Sequence, residues 1–512
     1  MRMAVAMKRP QAITSATGPW PLHDTAASRQ IEALAAAAEP PHALMQRAGQ
    51  AVARLALALA PHARNIWIAA GPGNNGGDGF EAAAHLHRAG KQVRVTALGD
   101  PAHRPADAVA SLALAQAAGV LIETAAPAAL ACDLAIDALL GLGVTRAVDG
   151  AIAEALRRFN QQAVPRLAVD LPSGVDSDNG GVHGAVAAQA NHTLTLLTLK
   201  PGLFTAHGRE RAGEVWFDDL GCGEVAAQVP PRAWLGGADA ALTVRAPRRH
   251  AQHKGTFGDV VIVGGAAGMV GAALLAGRAA LAAGAGRVYV SALDPAAPGH
   301  DPLWPELMLR PGLWRDAAAM PSDSTVVCGC GGGDAMREAL PVLLARAARL
   351  VIDADALNAI AADSMLQSLL AARAARGQAS VLTPHPLEAA RLLGAANSAA
   401  IQSDRLGHAE RLAARFACVV LLKGSGSVIA APQQFSTINP SGNARLASAG
   451  TGDVLAGWLG GLWAAAQAQA EPPSALRVAQ AAAWLHGAAA EGGDDRSPLT
   501  ASMLLQRLTA AG

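Results

Sequence analysis

Short apolar runs rich in valine, isoleucine and leucine alternate along the chain with longer, alanine-rich stretches of helical character. In the first half the runs predicted as strands are 65–70, 92–98, 134–139, 166–171, 192–199 and 214–218. In the second half they are 259–264, 287–292, 325–329, 350–354, 379–383 and 418–423. Such alternation predicts βαβ units and mainly parallel sheets. Two such series predict two α/β domains, as 512 residues are too many for one ordinary core. Periodicity is weakest over residues 221–255, which carry Pro-Pro, Gly-Gly and a basic cluster. The boundary is therefore expected near residue 238, giving domains 18–238 and 239–512. The N-terminal dozen residues are expected to be disordered.

Composition narrows the class. Half of the residues are apolar, yet aromatics make up only 3% and alanine is abundant, which favours helices packed closely on sheets. A formal net charge of +1 gives no reason to expect a nucleic-acid or anionic-membrane partner. Cys132, Cys222, Cys328, Cys330 and Cys418 form no metal-binding spacing and read as reduced thiols. The stretch "AVARLALALA" is short and contains Arg54, so it does not read as a membrane span, and the first ten residues lack a signal-peptide core. A soluble cytoplasmic protein is expected.

Ligands of open parallel sheets sit beyond the carboxyl ends of the strands. Three strands of the first half end in polar, glycine-bearing turns: "GPGNNGGDG" after residue 70, "DALLGLG" from Asp137, and "VDLPSGVD", which holds Asp170 and Ser173. Glycines let backbone N–H groups approach phosphate oxygens, while Asn, Asp and Ser supply oxygen ligands suited to a hard cation. The first run lacks the Gly-Lys-Ser/Thr of a P-loop. Its Gly71, Gly73 and Gly76 fit a dinucleotide spacing, but the polar core between them is excess to it. Asp170 is a candidate acid/base group or, equally, the cap of the next turn.

With "LMQRAG" (44–49), "LKPGL" (199–203) and "GEVWFDDLG" (213–221), these motifs resemble the NAD(P)H-hydrate epimerase family. The resemblance implies a Rossmann-like three-layer domain that interconverts the R and S hydrates of NADH and NADPH. It implies a potassium ion held by Asn75, Asp137 and Ser173. The hydrate would contact a turn of Asn74, Asn75, Gly76, Gly77 and Asp78, a second turn of Gly141, Leu142, Gly143, Val144, Thr145, Arg146 and Ala147, and Asp170.

In the second half, "NPSGNARLASAGTGDVLAGWLGG" (439–461) places Gly450, Thr451 and Gly452 at the start of a predicted helix, with Asp453 in its first turn. Backbone N–H groups there form an anion hole. Asp453 could serve as a cap, but so much glycine favours a base beside a phosphoryl group. His385, between two prolines, is a plausible ligand contact. Lys423 in "LLKGSGSVIA" (421–430) is either a solvated turn residue or a charge clamp.

From about residue 242 onward, "HKG", "PELM", "DADALN", "TPHPLEAARLL", "LKGSGS" and "GTGDVLAG" resemble the ADP-dependent NAD(P)H-hydrate dehydratases, which implies a ribokinase-like α/β domain. The resemblance places the hydrate at Ala272, Gly331, His385 and Asp453, and the adenosine nucleotide at Lys423, Gly424, Ser425, Gly426, Ser427 and Gly452. The family's Gly-Pro-Gly-Leu-Gly turn reads "GCGGG" here (329–333), and its common tyrosine after Gly-Gly is Met269. The implied whole is a bifunctional repair enzyme using K+, with ADP as co-substrate, Mg2+ accompanying the nucleotide, and a homo-oligomeric assembly. The alternative is a ribokinase-superfamily small-molecule kinase fused to a non-catalytic nucleotide-binding module.

Overall fold

The computed structural model describes residues 9–125, 131–144, 146–245, 247–316, 319–492 and 496–510. The chain divides into two compact units. One comprises Trp20–Trp234 with the N-terminal stretch ending at Thr14, and the other Leu235 onward with Ser15–Pro19. No helix among the described residues is long and apolar enough to cross a membrane.

The strands of the first unit are β1 (Gln11–Ala12), β2 (Trp20–Leu22), β3 (Asn65–Ala70), β4 (Gln92–Ala97), β5 (Leu121–Glu123), β6 (Leu134–Ala138), β7 (Arg166–Val169), β8 (His192–Leu196) and β9 (Glu214–Asp218). Its main sheet runs β1-β9-β8-β7-β6-β3-β4-β5. Pairings from β5 to β9 are all parallel. Taken from β3, the order is the doubly wound Rossmann one, and its switch point lies between β3 and β6. Period-two alternation covers both faces. Ile66, Ile68 and Ala70 pack with helices Ala43–Leu59 and Asn74–Arg88, while Trp67 and Ala69 pack with helix Gly150–Gln161. The expected N-terminal disorder does not extend to Gln11 and Ala12. These pair antiparallel with Phe217 and Trp216, because the outermost parallel strand leaves its edge groups open.

Beyond β10 (Ala233–Leu235), the second unit holds β11 (Asp259–Gly264), β12 (Arg287–Ala292), β13 (Met308–Leu309), β14 (Thr325–Cys328), β15 (Arg349–Ile352), β16 (Ala379–Leu382), β17 (Val419–Leu422), β18 (Val428–Ala430) and β19 (Thr437–Ile438). These pair in the order β13-β12-β11-β14-β15-β16-β17-β18-β19. The pairings are parallel as far as β17 and antiparallel beyond it. The switch point lies between β11 and β14. One face is covered by helices Val270–Ala282, Thr451–Ala466 and Ala475–Ala490, whose side chains join those of Val260, Ile262, Val327 and Val351 in one core.

Alanine and glycine set how close these helices come. A Cβ on Gly457 would lie 2.0 Å from the carbonyl oxygen of Ala276, and one on Gly461 would lie 2.4 Å from that of Ala280. On the sheet side, a Cβ on Gly460 would meet Val327 Cγ2 at 2.3 Å. Helix Thr451–Ala466 is thus wedged between the backbone of helix Val270–Ala282 and the Val327 side chain of β14. Gly457→Ala should therefore destabilise the second unit by about 1–3 kcal/mol, the cost of overpacking. Gly271→Ala, where the added methyl meets nothing within 4 Å, is the control and should be neutral or stabilising. Calorimetry should show only the second unit's transition moving down for Gly457→Ala.

Candidate active sites

In the first unit, the switch point gathers the ends of β3, β6 and β7. Asp137, on β6, is wholly buried and accepts from the Ser173 N–H (2.8 Å), the Ser173 hydroxyl (2.7 Å) and the Leu139 N–H (3.1 Å). The Leu140 N–H donates to Ser173 Oγ at 2.8 Å. Burial pushes the Asp137 carboxyl up to about 6, with the Ser173 and Leu139 donors acting against it. Asn75 is 7% exposed, and among the described residues neither its amide oxygen nor its amide nitrogen has a hydrogen-bond partner. A buried amide left so is costly unless something polar completes it. Gly141 closes the arrangement: a Cβ there would lie 3.4 Å from Asn75 Cγ and 3.5 Å from Asp170 Oδ2.

Asp170 follows β7 with φ +65, a left-handed conformation that costs a non-glycine residue about 1–3 kcal/mol. Its carboxylate is held from behind. Lys200, 1% exposed, donates from Nζ to Asp170 Oδ1 at 2.5 Å and to the Leu196 carbonyl at 2.8 Å. The Leu196 N–H donates to the same carboxylate oxygen at 3.2 Å. Lys200 lies in the "LKPGL" motif, but sequence reading assigned it no role, because nothing local shows that its ammonium turns inward.

A cleft of about 770 Å³ opens over this floor, lined among others by Glu32, Asn74, Asn75, Asp78, Asp170 and Lys200. Gly141, Leu142, Gly143, Val144, Arg146 and Ala147 line it as well, and Thr145 lies outside the described residues. Burial, then the charges of Asp170, Glu32 and Glu81, push the Asp78 carboxyl well above its ordinary value. Glu32 is raised by burial and by Asp170. The cleft thus sets two carboxyls of raised pKa, Glu32 and Asp78, beside a lysine-paired Asp170. The run expected as a turn over residues 74–78 is instead the first turns of helix Asn74–Arg88. Its glycines serve close packing: a Cβ on Gly76 would lie 2.1 Å from the Gly71 carbonyl oxygen, and one on Gly77 would lie 2.5 Å from Met45 Sδ. Gly76 and Gly77 seat the helix, and its first turns bring Asn74, Asn75 and Asp78 to the cleft.

In the second unit, Gly450 caps helix Thr451–Ala466 with φ +85, and Asp453 stands in the first turn. Lys423, at the end of β17, donates from Nζ to Asp353 Oδ1 at 2.7 Å, and the Thr383 hydroxyl donates to the same oxygen at 2.8 Å. A Cβ on Gly452 would lie 3.5 Å from Lys423 Nζ, so lysine and helix start share one spot. Lys423 therefore points inward rather than to solvent. Burial opposes its charge, but Asp353 and Glu388 outweigh that and raise its pKa. Burial, then Asp353, raises Asp453 to about 6, while Cys330 and Lys423 act the other way.

The Lys423–Ser427 turn hangs on Arg405, which is 1% exposed and whose Nη2 donates to the carbonyls of Leu422, Lys423 and Gly426 at 3.2–3.3 Å. A Cβ on Gly424 would lie 2.9 Å from Arg405 Nη1. Sequence reading missed both Arg405, which opens helix Arg405–Phe416 in no motif, and Asp353, which was seen only as part of "DADALN". His385 is the N-cap of helix Pro386–Leu393, its Nδ1 accepting from the Leu387 N–H at 3.1 Å, and the Lys423 N–H donates to the Pro384 carbonyl at 2.8 Å. Ala272 and Gly331 adjoin, since a Cβ on Gly331 would lie 2.9 Å from Ala272 Cβ.

Residues 41–202 match the family described as YjeF-related protein N-terminus, and residues 260–511 match the family described as NAD(P)H-hydrate dehydratase. Over 460 residues the chain is 36% identical to the bifunctional NAD(P)H-hydrate repair enzyme Nnr of Escherichia coli K12, covering 88% of this chain and 84% of that one. It is 36% identical over 473 residues to the enzyme of the same name from Moorella thermoacetica, covering 84% and 83%. Among solved structures, the ADP/ATP-dependent NAD(P)H-hydrate dehydratase of Bacillus subtilis, co-crystallised with ATP/Mg2+, is 29% identical, with a TM-score of 0.44, over 53% of this chain and 95% of that one. Full-length relatives with both halves in the same order set aside a lone kinase fused to a non-catalytic module. By sequence along most of its length, the chain belongs to the family of bifunctional NAD(P)H-hydrate repair enzymes.

Proposed function

We propose that the first unit interconverts the R and S hydrates of NADH and NADPH, and that the second returns the S form to the reduced dinucleotide while ADP becomes AMP and phosphate. The observation that carries this reading is a built site at each switch point. One has an unsatisfied Asn75 amide and a buried Asp137–Ser173 pair. The other has Asp453 at an open helix start beside the Lys423–Asp353 pair.

The donors of the first site suit a hard monovalent cation, because Asn75 Oδ1 is buried without a partner and Asp137 and Ser173 supply further oxygens. Asn75, Asp137 and Ser173 would hold potassium, which when bound would supply a fixed positive charge to the cleft. The chain's own residues move the protons. Inverting the hydroxyl-bearing carbon needs a proton delivered to the leaving oxygen and another taken from the oxygen that returns. Asp78, whose pKa burial and Asp170 push well above the ordinary carboxyl value, suits the first task, and the lysine-held Asp170 the second.

In the second site, Asp453 takes the hydrate's hydroxyl proton as that oxygen attacks the terminal phosphorus of ADP, and the bond to AMP breaks. The N–H groups of the helix start and Lys423 face the transferred phosphoryl group. Expulsion of phosphate by the ring nitrogen's lone pair, with loss of a proton from the adjoining carbon, restores the double bond. Magnesium would accompany the nucleotide. Cys330, Asp353 and Asp453 cluster there, but Asp353 is committed to Lys423 and Thr383 and a thiol is a soft ligand. The trio does not fit a magnesium cage, in keeping with an ion bound through phosphates and water. A mixture of both hydrates with ADP should recover its reduced-nicotinamide absorbance completely. Recovery that stops at the S fraction would refute the epimerase assignment.

Asp137→Ala should abolish potassium-stimulated epimerisation and leave ADP-dependent dehydration of the S form intact. Potassium should raise the melting temperature of the wild type and not of this variant. For Asp453→Asn, dehydration should fall by about a hundred- to ten-thousand-fold, the usual worth of a general base, with folding and epimerisation retained. With Asp453 raised to about 6, the base is charged only above that pH. Dehydration kcat/KM should therefore decline as pH falls through the region near 6, an acidic limb read from a pH–rate profile of the wild type.

A further inference from the structure

The turn that follows β14, Gly329–Gly333, carries one side chain, that of Cys330, and the thiol is wholly buried. Cys330 Sγ, a carboxylate oxygen of Asp453 and one of Asp353 all lie within 4.8 Å of one another. The turn cannot back away from them. The Gly265 N–H donates to the Cys330 carbonyl at 2.9 Å and the Ala266 N–H to the Gly331 carbonyl at 2.7 Å. Gly329 and Gly331 have φ of +110 and +58, and a Cβ on Gly329 would fall 1.9 Å from the Asp353 carbonyl oxygen. The thiol is therefore held against the carboxylates by backbone geometry.

Of the two carboxylates, Asp353 already accepts from Lys423 and Thr383. Asp453 is the one left to the thiol, which lies within 4.8 Å of its carboxylate. Burial, then the charges of Asp453 and Asp353, raises the thiol's pKa, so between thiol and carboxylate the thiol is the group with a proton to donate. Resemblance to the dehydratases leads one to expect proline at this place, a residue with no donor at all.

We propose that Cys330 is a positioning residue for the dehydration: its S–H donates to Asp453 and holds that carboxylate as an acceptor turned toward the hydroxyl it deprotonates. The inference rests on Asp453 being the base. Four side chains act on Asp453 from the elements around it: Asp353 at the end of β15 and Asp355 in helix Ala354–Ala362 disfavour its charge, whereas Lys423 and Cys330 favour it. Removing the thiol leaves burial and two aspartates opposed by Lys423 alone. The acidic limb must then move to higher pH.

The test is the pH profile of dehydration kcat/KM for Cys330→Ala and Cys330→Ser, measured on the full chain with melting temperature and ADP affinity. Cys330→Ala should be roughly three- to tenfold slower than wild type on the acidic limb and approach it above pH 8, as a limb moved by half a unit to one unit requires. Cys330→Ser, which keeps a donor, should restore the wild-type limb. An unmoved limb in Cys330→Ala, or a loss equal at every pH that follows the melting temperature, would overturn the inference. Should Cys330→Ala not fold, the infrared S–H band missing from Cys330→Ser identifies this thiol. That band should shift in Asp453→Asn, and its constancy would also overturn the proposal. Asp453→Asn separates the two layers: near-normal dehydration in it removes the base assignment, whereas lost dehydration with an unmoved Cys330→Ala limb removes only the role of Cys330.

Discussion

Backbone-to-backbone approach, possible only where a side chain is missing, is the constraint on which both sites depend. Helix Thr451–Ala466 touches the carbonyls of helix Val270–Ala282 at Gly457 and Gly461. Helix Asn74–Arg88 touches Gly71 at Gly76, and Gly71 in turn has its missing Cβ position 1.8 Å from the Leu139 carbonyl oxygen. These contacts fix each helix start to within the slack of van der Waals packing, which is what an anion hole or an acid/base group requires. The glycine that looks like loop chemistry in the sequence is largely packing chemistry in the fold.

On those rigid starts the two units solve one electrostatic problem in the same way. Each buries carboxylates at a switch point and keeps one of them paired with a lysine, Lys200 with Asp170 and Lys423 with Asp353. Each then leaves a neighbouring carboxyl with a raised pKa, Asp78 in one and Asp453 in the other. Pushing the affinities of adjacent acids apart is how one pocket comes to hold both a proton donor and a proton acceptor near neutral pH. Burial supplies most of the push, so the chemistry depends on the same close packing that positions the helices.

Much of this was legible from the chain alone. The twelve predicted strands all occur, with ends shifted by a few residues, because a strand buried on both faces must be an uninterrupted apolar run and βαβ alternation leaves few other topologies. The polar strand ends at Asn75, Asp137, Asp170 and Ser173, and the Gly450–Asp453 helix start, stand out as glycine and small polar residues directly after such runs. Local pattern reports on local geometry, and these are features of single strand–turn–helix units.

What only the tertiary structure decided involves residues far apart in the chain. Lys200 meets Asp170 across 30 positions, Lys423 meets Asp353 across 70, and Arg405 reaches 21 positions to hold the Gly426 carbonyl. No periodicity marks such a partner, since a lysine or arginine in an apolar stretch reads alike whether it snorkels to water or turns inward. The same holds for Asn74–Asp78, read as a turn from its glycines and found as helix, because the reason for those glycines is the neighbouring backbone and not their own φ and ψ. The sequence determined which strand ends are rich in glycine and small polar residues; the packing of distant segments decided which charges there are paired and which carboxyls are left with a raised pKa.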